Sequence, residues 1–270
     1  MSAVATLPAP GATLRAPSAR PRPWTAVGPR DAQPIVFLHG TRLSRALWDP
    51  QLRRLADHYR CIAVDLPGHG AAADEPFTVA AAASRVCEAI ESEAGGRPAI
   101  LVGLSLGGYV AIDAAEAYPE RVAGLVLAGC SAEPVGAVSW PFRALATTLE
   151  RAPRGGLDIA NRTFFRLRYG GRTGEGIVAG GFWSAGGATA LRAIVGRRYL
   201  DRLARLWVPI LVVNGALDPV FGPQGDYWAA SCRSGRHAVI RRAMHLCNLD
   251  RPGAFSTLVA AFTDRVTRAG

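Results

Sequence analysis

Six short runs of apolar residues recur along the chain, and helical stretches lie between many of them. The runs are Ile35–Leu38, Cys61–Val64, Ala99–Val102, Gly124–Ala128, Ile210–Val213 and Ala238–Ile240. Apolar and polar residues do not alternate within them, which is typical of strands that are covered on both faces. The stretches that favour helix are Leu47–Asp57, Val79–Ala94, Gly108–Tyr118 and Pro252–Arg268. Strands that alternate with helices predict right-handed crossovers and a doubly wound, mostly parallel sheet, so the expected fold class is α/β.

The alternation breaks once, between about Glu133 and Leu206, where the chain is rich in Arg, Gly and aromatic residues. We predict that residues 135–206 form a small helical cap, inserted into an α/β core made of residues 34–134 and 207–270. A chain of 270 residues is long enough for one domain of this kind.

The first 33 residues contain six prolines and a single acid, Asp31. Because proline interrupts helices, we expect a loosely ordered arm, with short edge strands near Thr13–Arg15 and Thr25–Val27. No apolar segment follows a charged start, as it would in a secretory signal. No run of about 18 apolar residues occurs either, so no membrane span is expected.

The net charge of +10 raises the question of nucleic-acid binding, because clustered cations bind phosphates. All 31 basic residues are Arg, however, and Ala and Gly are abundant, which indicates a genome-wide bias in composition. No recognised nucleic-acid-binding module is present. We therefore expect no nucleic-acid partner and place the arginines mainly on solvated faces.

The cysteines and histidines indicate neither a disulfide framework nor a metal site. The chain has five cysteines, an odd number, with no C-x-x-C pair. Scattered cysteines of this kind are typical of reduced thiols, so we expect a cytoplasmic protein. No H-E-x-x-H motif or Cys/His cluster has the spacing of metal ligands, so no metal is expected.

The strongest chemical motif is the segment from Gly103 to Gly108, with Ser105 at its centre. It follows an apolar strand directly and precedes a helical stretch. A nucleophile elbow needs this context, since a sharp strand-to-helix turn strains the Ser backbone and presents its hydroxyl. Glycines two residues before and two after the Ser remove Cβ atoms that would collide in the turn. The motif predicts Ser105 as a nucleophile.

A serine hydroxyl needs a base, and His245 is the best candidate. It lies after the last predicted strand and just before the last helix. A structural histidine packed under that helix is the alternative. His237 is expected to precede the strand and to fall at the opposite edge of the sheet, and His58 lies at a polar helix end.

The base in turn needs an acid that fixes its tautomer and stabilises the imidazolium. Asp218 follows the run Ile210–Val213 at the carboxyl end of a strand, where catalytic groups collect in open α/β sheets. Asp-Pro is also a common turn signal. Glu133, after the preceding strand, is the rival acid, and Asp226 and Asp250 are weaker candidates.

Along the chain the three candidates come in the order Ser105, Asp218, His245, which differs from the orders in chymotrypsin and subtilisin. This order and several motifs make the sequence resemble a known family. It is similar to the α/β-hydrolase superfamily, in its short-capped esterase and lactonase-like branch, from about Pro34 to the C-terminus. The motifs that carry the resemblance are Phe37–Thr41, Asp65–Gly70, the elbow, Asn214–Pro219, and His245 with Asp250–Pro252 downstream.

The resemblance implies an oxyanion hole formed by the backbone N–H groups of Thr41 and Leu106, which stabilise charge that develops in the tetrahedral state. It also implies that His39 and His69 are structural, and no cofactor is expected. The chain departs from the family pattern in three respects. Met244 stands where Gly commonly precedes the catalytic His, the N-terminal hairpin is hard to find, and the cap is unusually basic.

The resemblance implies hydrolysis of a carboxylic ester or lactone through an acyl-Ser105 intermediate. Haloalkane dehalogenases and epoxide hydrolases of this fold carry Asp at the elbow, so they are disfavoured. The glycines also lack the spacing of a dinucleotide fingerprint. Thioesterases and carbon–carbon hydrolases or lyases share the same triad, so they stay open. A relative that binds a small molecule without turnover is the alternative outside the enzymes.

Two further residues are candidate substrate contacts. Between Val135 and Leu206 there are twelve Arg and four acids, so most of the excess charge falls in the predicted cap. Positive walls concentrate anionic substrates, and Arg42 could add a bidentate contact to a carboxylate or phosphate. We therefore hypothesise a small ester substrate that carries a negative charge; the alternative is that the arginines point into water. Trp183 is one of several cap aromatics that line a substrate pocket or simply pack the cap.

Overall fold

A computed structural model describes residues 21–151 and 154–269, and their core is a seven-stranded sheet. The strands are β1 (Trp24–Val27), β2 (Pro34–Leu38), β3 (Arg60–Val64), β4 (Ala99–Leu104), β5 (Val122–Ala128), β6 (Ile210–Gly215) and β7 (Gly235–Ile240). Their order across the sheet is β1-β3-β2-β4-β5-β6-β7. All neighbouring pairs are parallel except β1 with β3. The predicted α/β class with a mostly parallel sheet is confirmed.

Helices cover both faces of this sheet and fill the segment between β5 and β6. The helices are α1 (Asp49–Leu55), α2 (Val79–Ala94), α3 (Leu106–Ala117), α4 (Ser139–Arg151), α5 (Arg154–Tyr169), α6 (Gly171–Ala179), α7 (Ser184–Ile194), α8 (Tyr199–Leu203), α9 (Gly225–Ala230), α10 (Cys247–Asp250) and α11 (Pro252–Ala269). The helices α4 to α8 lie in the segment predicted to be a helical insertion. No helix among the described ranges is both long and apolar enough to cross a membrane.

The central strands are buried and almost entirely apolar; the exception is the buried Arg60 at the start of β3, whose guanidinium pairs with Glu93. Each residue of β2, β3 and β4 is buried. Successive side chains point to opposite faces, so Val36 and Leu38 join one core cluster with α2 and α3, while Ile35 and Phe37 join the other with α11. Full burial of one such side chain contributes about 1.5–3 kcal/mol. The two clusters cover the two faces of the sheet, and the candidate site lies at the carboxyl ends of the strands.

The ends of the sheet differ in detail from the sequence prediction. The strand β1 contains the expected edge strand Thr25–Val27, whereas Thr13–Arg15 lies outside the described residues. The last strand begins at Gly235 and not at Ala238, so the expectation that His237 precedes it is wrong. Most of β7 is only partly buried because it lies at the edge of the sheet, and its first three residues therefore lack an apolar run.

Candidate active site

Ser105 lies in a strained turn between β4 and α3. Its φ is 52° and its ψ is −117°, a conformation that non-glycine residues rarely adopt. The backbone N–H of Ser105 donates to the carbonyl of Ala128 at 2.8 Å, which ties the turn to β5. A Cβ at Gly103 would stand 2.2 Å from the carbonyl oxygen of Gly107, and a Cβ at Gly107 would stand 2.1 Å from that of Leu38. Only glycine fits at these two positions, which explains the spacing of the motif.

Asp218 and His245 are joined by a hydrogen bond at the carboxyl ends of β6 and β7. The distance from His245 Nδ1 to Asp218 Oδ2 is 3.0 Å, and the Asp218 side chain is 1% exposed. Its other oxygen accepts hydrogen bonds from the backbone N–H groups of Val220 and Phe221 at 3.0 and 3.1 Å. Burial by itself raises the pKa of the Asp218 carboxyl, but the bond from His245 and the two N–H donors outweigh it. The pKa therefore lies below its ordinary value, and the carboxylate is ionised.

Two residues that the sequence analysis did not single out hold the His245 ring in place. The Phe221 ring stacks on it, with 4.9 Å between ring centroids and 24° between planes. Gly129 approaches the ring as well, since a Cβ there would stand 3.0 Å from His245 Nδ1. Gly129 also has a φ of +55°. The sequence points to these two residues only by their position. Gly129 directly follows β5, and Phe221 lies three residues after Asp218.

Ser105 and His245 line one cavity of about 430 Å³. The rest of its wall is mainly apolar, with Leu43, Leu104, Pro141, Phe142, Leu145, Leu191, Val220, Phe221 and Leu246. No hydrogen bond joins the Ser105 hydroxyl to His245 within the described ranges. In unliganded enzymes such bonds are often long and shorten only when substrate binds. Ser105 and the histidine that is hydrogen-bonded to Asp218 thus face the same cavity.

The oxyanion donors expected from the resemblance lie beside this serine. Thr41 lines the cavity, and Leu106 is the first residue of α3. In the part of the chain that the structure describes, neither backbone N–H donates to a protein acceptor. Leu106 also stands at a helix N-terminus, where the helix dipole favours negative charge. Both groups are therefore available to an anion at the serine.

A pair of buried histidines shapes the loop that carries Thr41. His39 Nε2 accepts a hydrogen bond from the backbone N–H of Leu66, and His69 Nε2 accepts one from that of Arg42. Burial lowers the pKa of His39 to about 4, and burial together with His39 lowers the pKa of His69 to about 3. Both rings are therefore neutral near pH 7 and act as acceptors. Their positions agree with the structural role expected for them.

The other candidate acids and bases have partners elsewhere. Glu133 accepts hydrogen bonds from the backbone N–H groups of Tyr199 and Leu200, at the start of α8. His237 contacts Asp226 at 2.8 Å. Asp250 pairs with Arg168 and accepts a hydrogen bond from the backbone N–H of Met244. None of these acids contacts His245 within the described ranges.

The two candidate substrate contacts lie in different places. Arg42 lines the cavity that contains Ser105. Trp183 does not; it lines a second cleft, of about 1080 Å³. Its indole N–H donates to the carbonyl of Gly180, and its backbone N–H donates to that of Arg42. The structure therefore brings Arg42, but not Trp183, to the candidate active site.

Most arginines of the cap are engaged in ion pairs. Three pair with cap acids, in Arg166–Glu175, Arg192–Glu150 and Arg198–Asp201. Others pair with acids of the core, in Arg168–Asp250, Arg172–Asp49, Arg197–Asp113, Arg202–Asp113, Arg202–Glu116 and Arg205–Glu116. Eight of the twelve arginines between Val135 and Leu206 are thus paired, five of them with acids outside this segment, and Arg42 is the one arginine in the described lining of the serine cavity.

The fold and the site together define an α/β enzyme whose candidate nucleophile is a serine at a strand-to-helix elbow. A family model described as the alpha/beta hydrolase family matches residues 35–258, so the chain belongs to the α/β hydrolase family. It is 29% identical over 254 residues to the pimeloyl-acyl-carrier-protein methyl ester esterase of Neisseria meningitidis, covering 88% of this chain and 96% of that protein.

Solved structures agree with this family. A thermophilic esterase from Thermogutta terrifontis, with malate bound, is 25% identical with a TM-score of 0.75, over 90% of this chain and 93% of that one. The enol-lactonase from Burkholderia xenovorans is 20% identical with a TM-score of 0.72, over 88% and 95%, a likeness that concerns the fold. With esterases among relatives that match most of its length, the chain is an ester-hydrolysing enzyme.

Proposed function

We propose that this enzyme hydrolyses its ester through an acyl intermediate on Ser105. The single observation that supports this most is the cavity shared by the strained serine and by His245, which Asp218 holds at 3.0 Å. Asp218 accepts from Nδ1–H, which leaves Nε2 of His245 as the base. The hydrogen bond to Asp218 sets this tautomer.

The reaction runs in two halves with the same groups. The Ser105 hydroxyl attacks the ester carbonyl carbon while His245 Nε2 takes its proton, and the imidazolium is stabilised by Asp218. The N–H groups of Thr41 and Leu106 bind the negative oxygen of the tetrahedral intermediate. As that intermediate collapses, the alcohol leaves with the proton from His245. Water then attacks the acyl-Ser105 with His245 again as base, which releases the acid and restores the serine.

The walls of the cavity favour an ester with an apolar acyl chain. Its lining is mainly aliphatic and aromatic, which suits hydrocarbon and gives little to bind a strongly polar acyl group. The name of the Neisseria relative describes a methyl ester of an acyl chain on a carrier protein. We infer a substrate of that chemical class, a carboxylic ester of an alkyl chain, in preference to a thioester or a carbon–carbon bond.

Arg42 supports a finer proposal, namely that the substrate carries a negatively charged group. Since most cap arginines are paired, this one side chain, and not the charge of the whole cap, favours an anion. Matched neutral and anionic esters should differ in kcat/KM at low salt, in favour of the anion. The advantage should shrink as salt rises and disappear in Arg42→Gln. Equal values at low salt would contradict an anionic substrate.

A substrate panel tests the proposed function as a whole. Alkyl esters, lactones and thioesters should be compared by kcat/KM, with Ser105→Ala as the inactive variant and Ser231→Ala as the control for serine removal elsewhere. The proposal predicts the highest values for alkyl esters and a burst of alcohol release. A chain that binds these esters and releases no product would be a non-catalytic binding relative. A preference for thioesters would move the activity to that class.

The cysteines fit an enzyme of the cytoplasm, and we include that location in the proposal. All five are free thiols, and three of them (Cys61, Cys130 and Cys247) are buried. Free, buried thiols are typical of a reducing compartment.

A further inference from the structure

The side chain of Arg42 stands between two cavities. It lines the cavity of about 430 Å³ that contains Ser105. Its Nε donates to Ser184 Oγ at 3.1 Å, and its Nη2 contacts Asp158 Oδ1 at 3.5 Å. Ser184 and Asp158 belong to the lining of the second cleft, of about 1080 Å³. The guanidinium group therefore forms the boundary between the candidate active site and the cleft under the cap.

The backbone of Arg42 is fixed, so movement is confined to its side chain. Its φ is 68°, its N–H donates to His69 Nε2 at 3.3 Å, and its carbonyl accepts from the N–H of Trp183 at 2.8 Å. Glycines let α7 approach this turn closely, since a Cβ at Gly187 would stand 2.8 Å from Arg42 Cγ. A fixed backbone that carries a long side chain suits a residue whose side chain moves between two positions.

The contact that holds the side chain across the boundary is weak for an ion pair. At 3.5 Å it is longer than the pairs of Arg197 and Arg202 with Asp113, at 2.7 and 2.8 Å. Asp158 is also 34% exposed, so water can replace the arginine there. Burial lowers the pKa of Arg42 and the Asp158 carboxylate opposes that shift, so the charge lies in a partly dry site. Release of the side chain therefore gives up a weak ion pair, together with the hydrogen bond to Ser184 Oγ and the contact with the Phe182 ring, 6.0 Å from its centroid.

The chemistry of the cleft decides what could enter it from the serine cavity. Its apolar surface comes from Leu149, Leu157, Phe182, Trp183 and Ala188. Its charged groups are carboxylates (Asp74, Glu150 and Asp158), and no arginine belongs to its described lining. Glu150 pairs with Arg192 and Asp158 with Arg42, so the lining offers little to attract an anion, whereas a neutral hydrocarbon chain would contact its apolar surface.

We propose that Arg42 is a movable partition, and that the acyl chain of a long neutral ester passes it into the cleft lined by Trp183. The proposal rests on the proposed function, since it concerns the acyl group that Ser105 would carry. A short chain is held in the serine cavity with the partition closed. A chain that ends in an anion stops at Arg42, and a longer neutral chain displaces the guanidinium from Asp158.

The test compares neutral aryl esters of short and long straight-chain acids. Arg42→Ala removes the partition, and Asp158→Asn loosens it at a partly exposed position that leaves Arg42 in place. The ratio of kcat/KM for the long ester to that for the short one should rise about tenfold in Arg42→Ala, as two further methylene groups become buried. It should rise less in Asp158→Asn. Glu175→Gln, an exposed cap carboxylate outside both cavities, should leave the ratio as in the wild type.

A second substitution shows where the long chain goes. Ala185 is exposed and lines the cleft, so Ala185→Trp narrows it. Combined with Arg42→Ala, it should cancel the gain for the long ester. An unchanged ratio in both Arg42→Ala and Asp158→Asn would overturn the proposal, and so would a gain that Ala185→Trp does not remove.

Phosphonates of short and long chain give a readout that needs no turnover. The relative rates at which they label Ser105 should follow the same ratio in each variant. Labelling with an unchanged ratio contradicts the partition alone, whereas no labelling at Ser105 in any variant contradicts the proposed function as well.

Discussion

Asp218 and Glu133 both follow a strand of the sheet, yet their side chains meet different partners. Asp218 is turned toward His245 because its second oxygen is held by the N–H groups of Val220 and Phe221. Glu133 instead caps the short helix α8 through Tyr199 and Leu200. The sequence places both residues at the carboxyl edge, but the direction of a carboxylate depends on these local hydrogen bonds.

Replacement of the two acids should separate their roles. Asp218→Asn should lower kcat by up to about 10⁴, because the amide misorients the imidazole and does not support its positive charge. Glu133→Gln should keep kcat near the wild-type value, since an amide oxygen can still accept from the two N–H groups. Steady-state rates on one ester measure both. A large loss in Glu133→Gln with full activity in Asp218→Asn would assign the acid to the other strand.

At the scale of elements, the sequence predicts the central strands well and the edges poorly. The runs Ile35–Leu38 and Cys61–Val64 match β2 and β3 except for the first residue of each strand. Burial on both faces favours apolar residues, and Arg60 escapes the pattern because Glu93 pairs with it. The start of β7 was missed because an edge strand has no such demand. The helices α9 and α10 have only six and four residues, too few to show a periodic pattern.

The elbow was found in the sequence because its geometry restricts residue type, whereas its surroundings were not. The spacing of the glycines indicates that the backbone approaches its neighbours closely, so the motif by itself predicts the turn. The contact of Gly129 with His245 joins positions 116 residues apart, and no local pattern reports it. The strained turn at Ser105 could thus be predicted, while the packing around His245 needed the structure.

The close approach at Gly107 gives a prediction for the elbow as an element. Gly107→Ala should lower the free energy of unfolding by about 3 kcal/mol or more, because its Cβ would meet the carbonyl oxygen of Leu38. The matched control is Gly176→Ala in α6, where nothing lies within 4 Å. That variant should gain about 0.5–1 kcal/mol from helix propensity. Urea unfolding measures both, and equal stability of the two variants would contradict the account of the turn.

On the scale of the whole molecule, arginines join the cap to the core. Asp113 in α3 is buried and contacts Arg197, Arg202 and the hydroxyl of Tyr199. Burial raises the pKa of Asp113, although the guanidinium groups oppose the shift. Composition reported the charge of the cap, but it could not report that acids of the core would take it up. This is why the sequence indicates a positively charged cap, whereas in the structure most of the cap arginines are paired with acids.

Buried neutral histidines make the stability of the whole fold depend on pH. Their folded pKa values lie below the ordinary value, so the unfolded chain binds more protons as the pH falls through 6.5. The free energy of unfolding should therefore be highest above pH 6.5 and fall as the pH drops toward 4, by about 3 kcal/mol for His39 alone. Urea unfolding between pH 5 and 7 measures the slope.

Two variants identify the source of that slope. His69→Gln should reduce it, whereas His58→Gln, at an exposed position, should leave it as in the wild type. A stability that stays flat between pH 5 and 6.5 would contradict buried neutral rings beside the oxyanion loop.

The central claim is that Ser105 becomes covalently acylated, and labelling with an alkyl phosphonate tests it most directly. The phosphonate forms a stable bond to an activated serine, and mass spectrometry of the digested protein locates that bond. We expect one label per chain, on the peptide that contains Ser105, and no label in Ser105→Ala or His245→Ala. Labelling of a different residue, with ester hydrolysis retained in Ser105→Ala, would contradict the account.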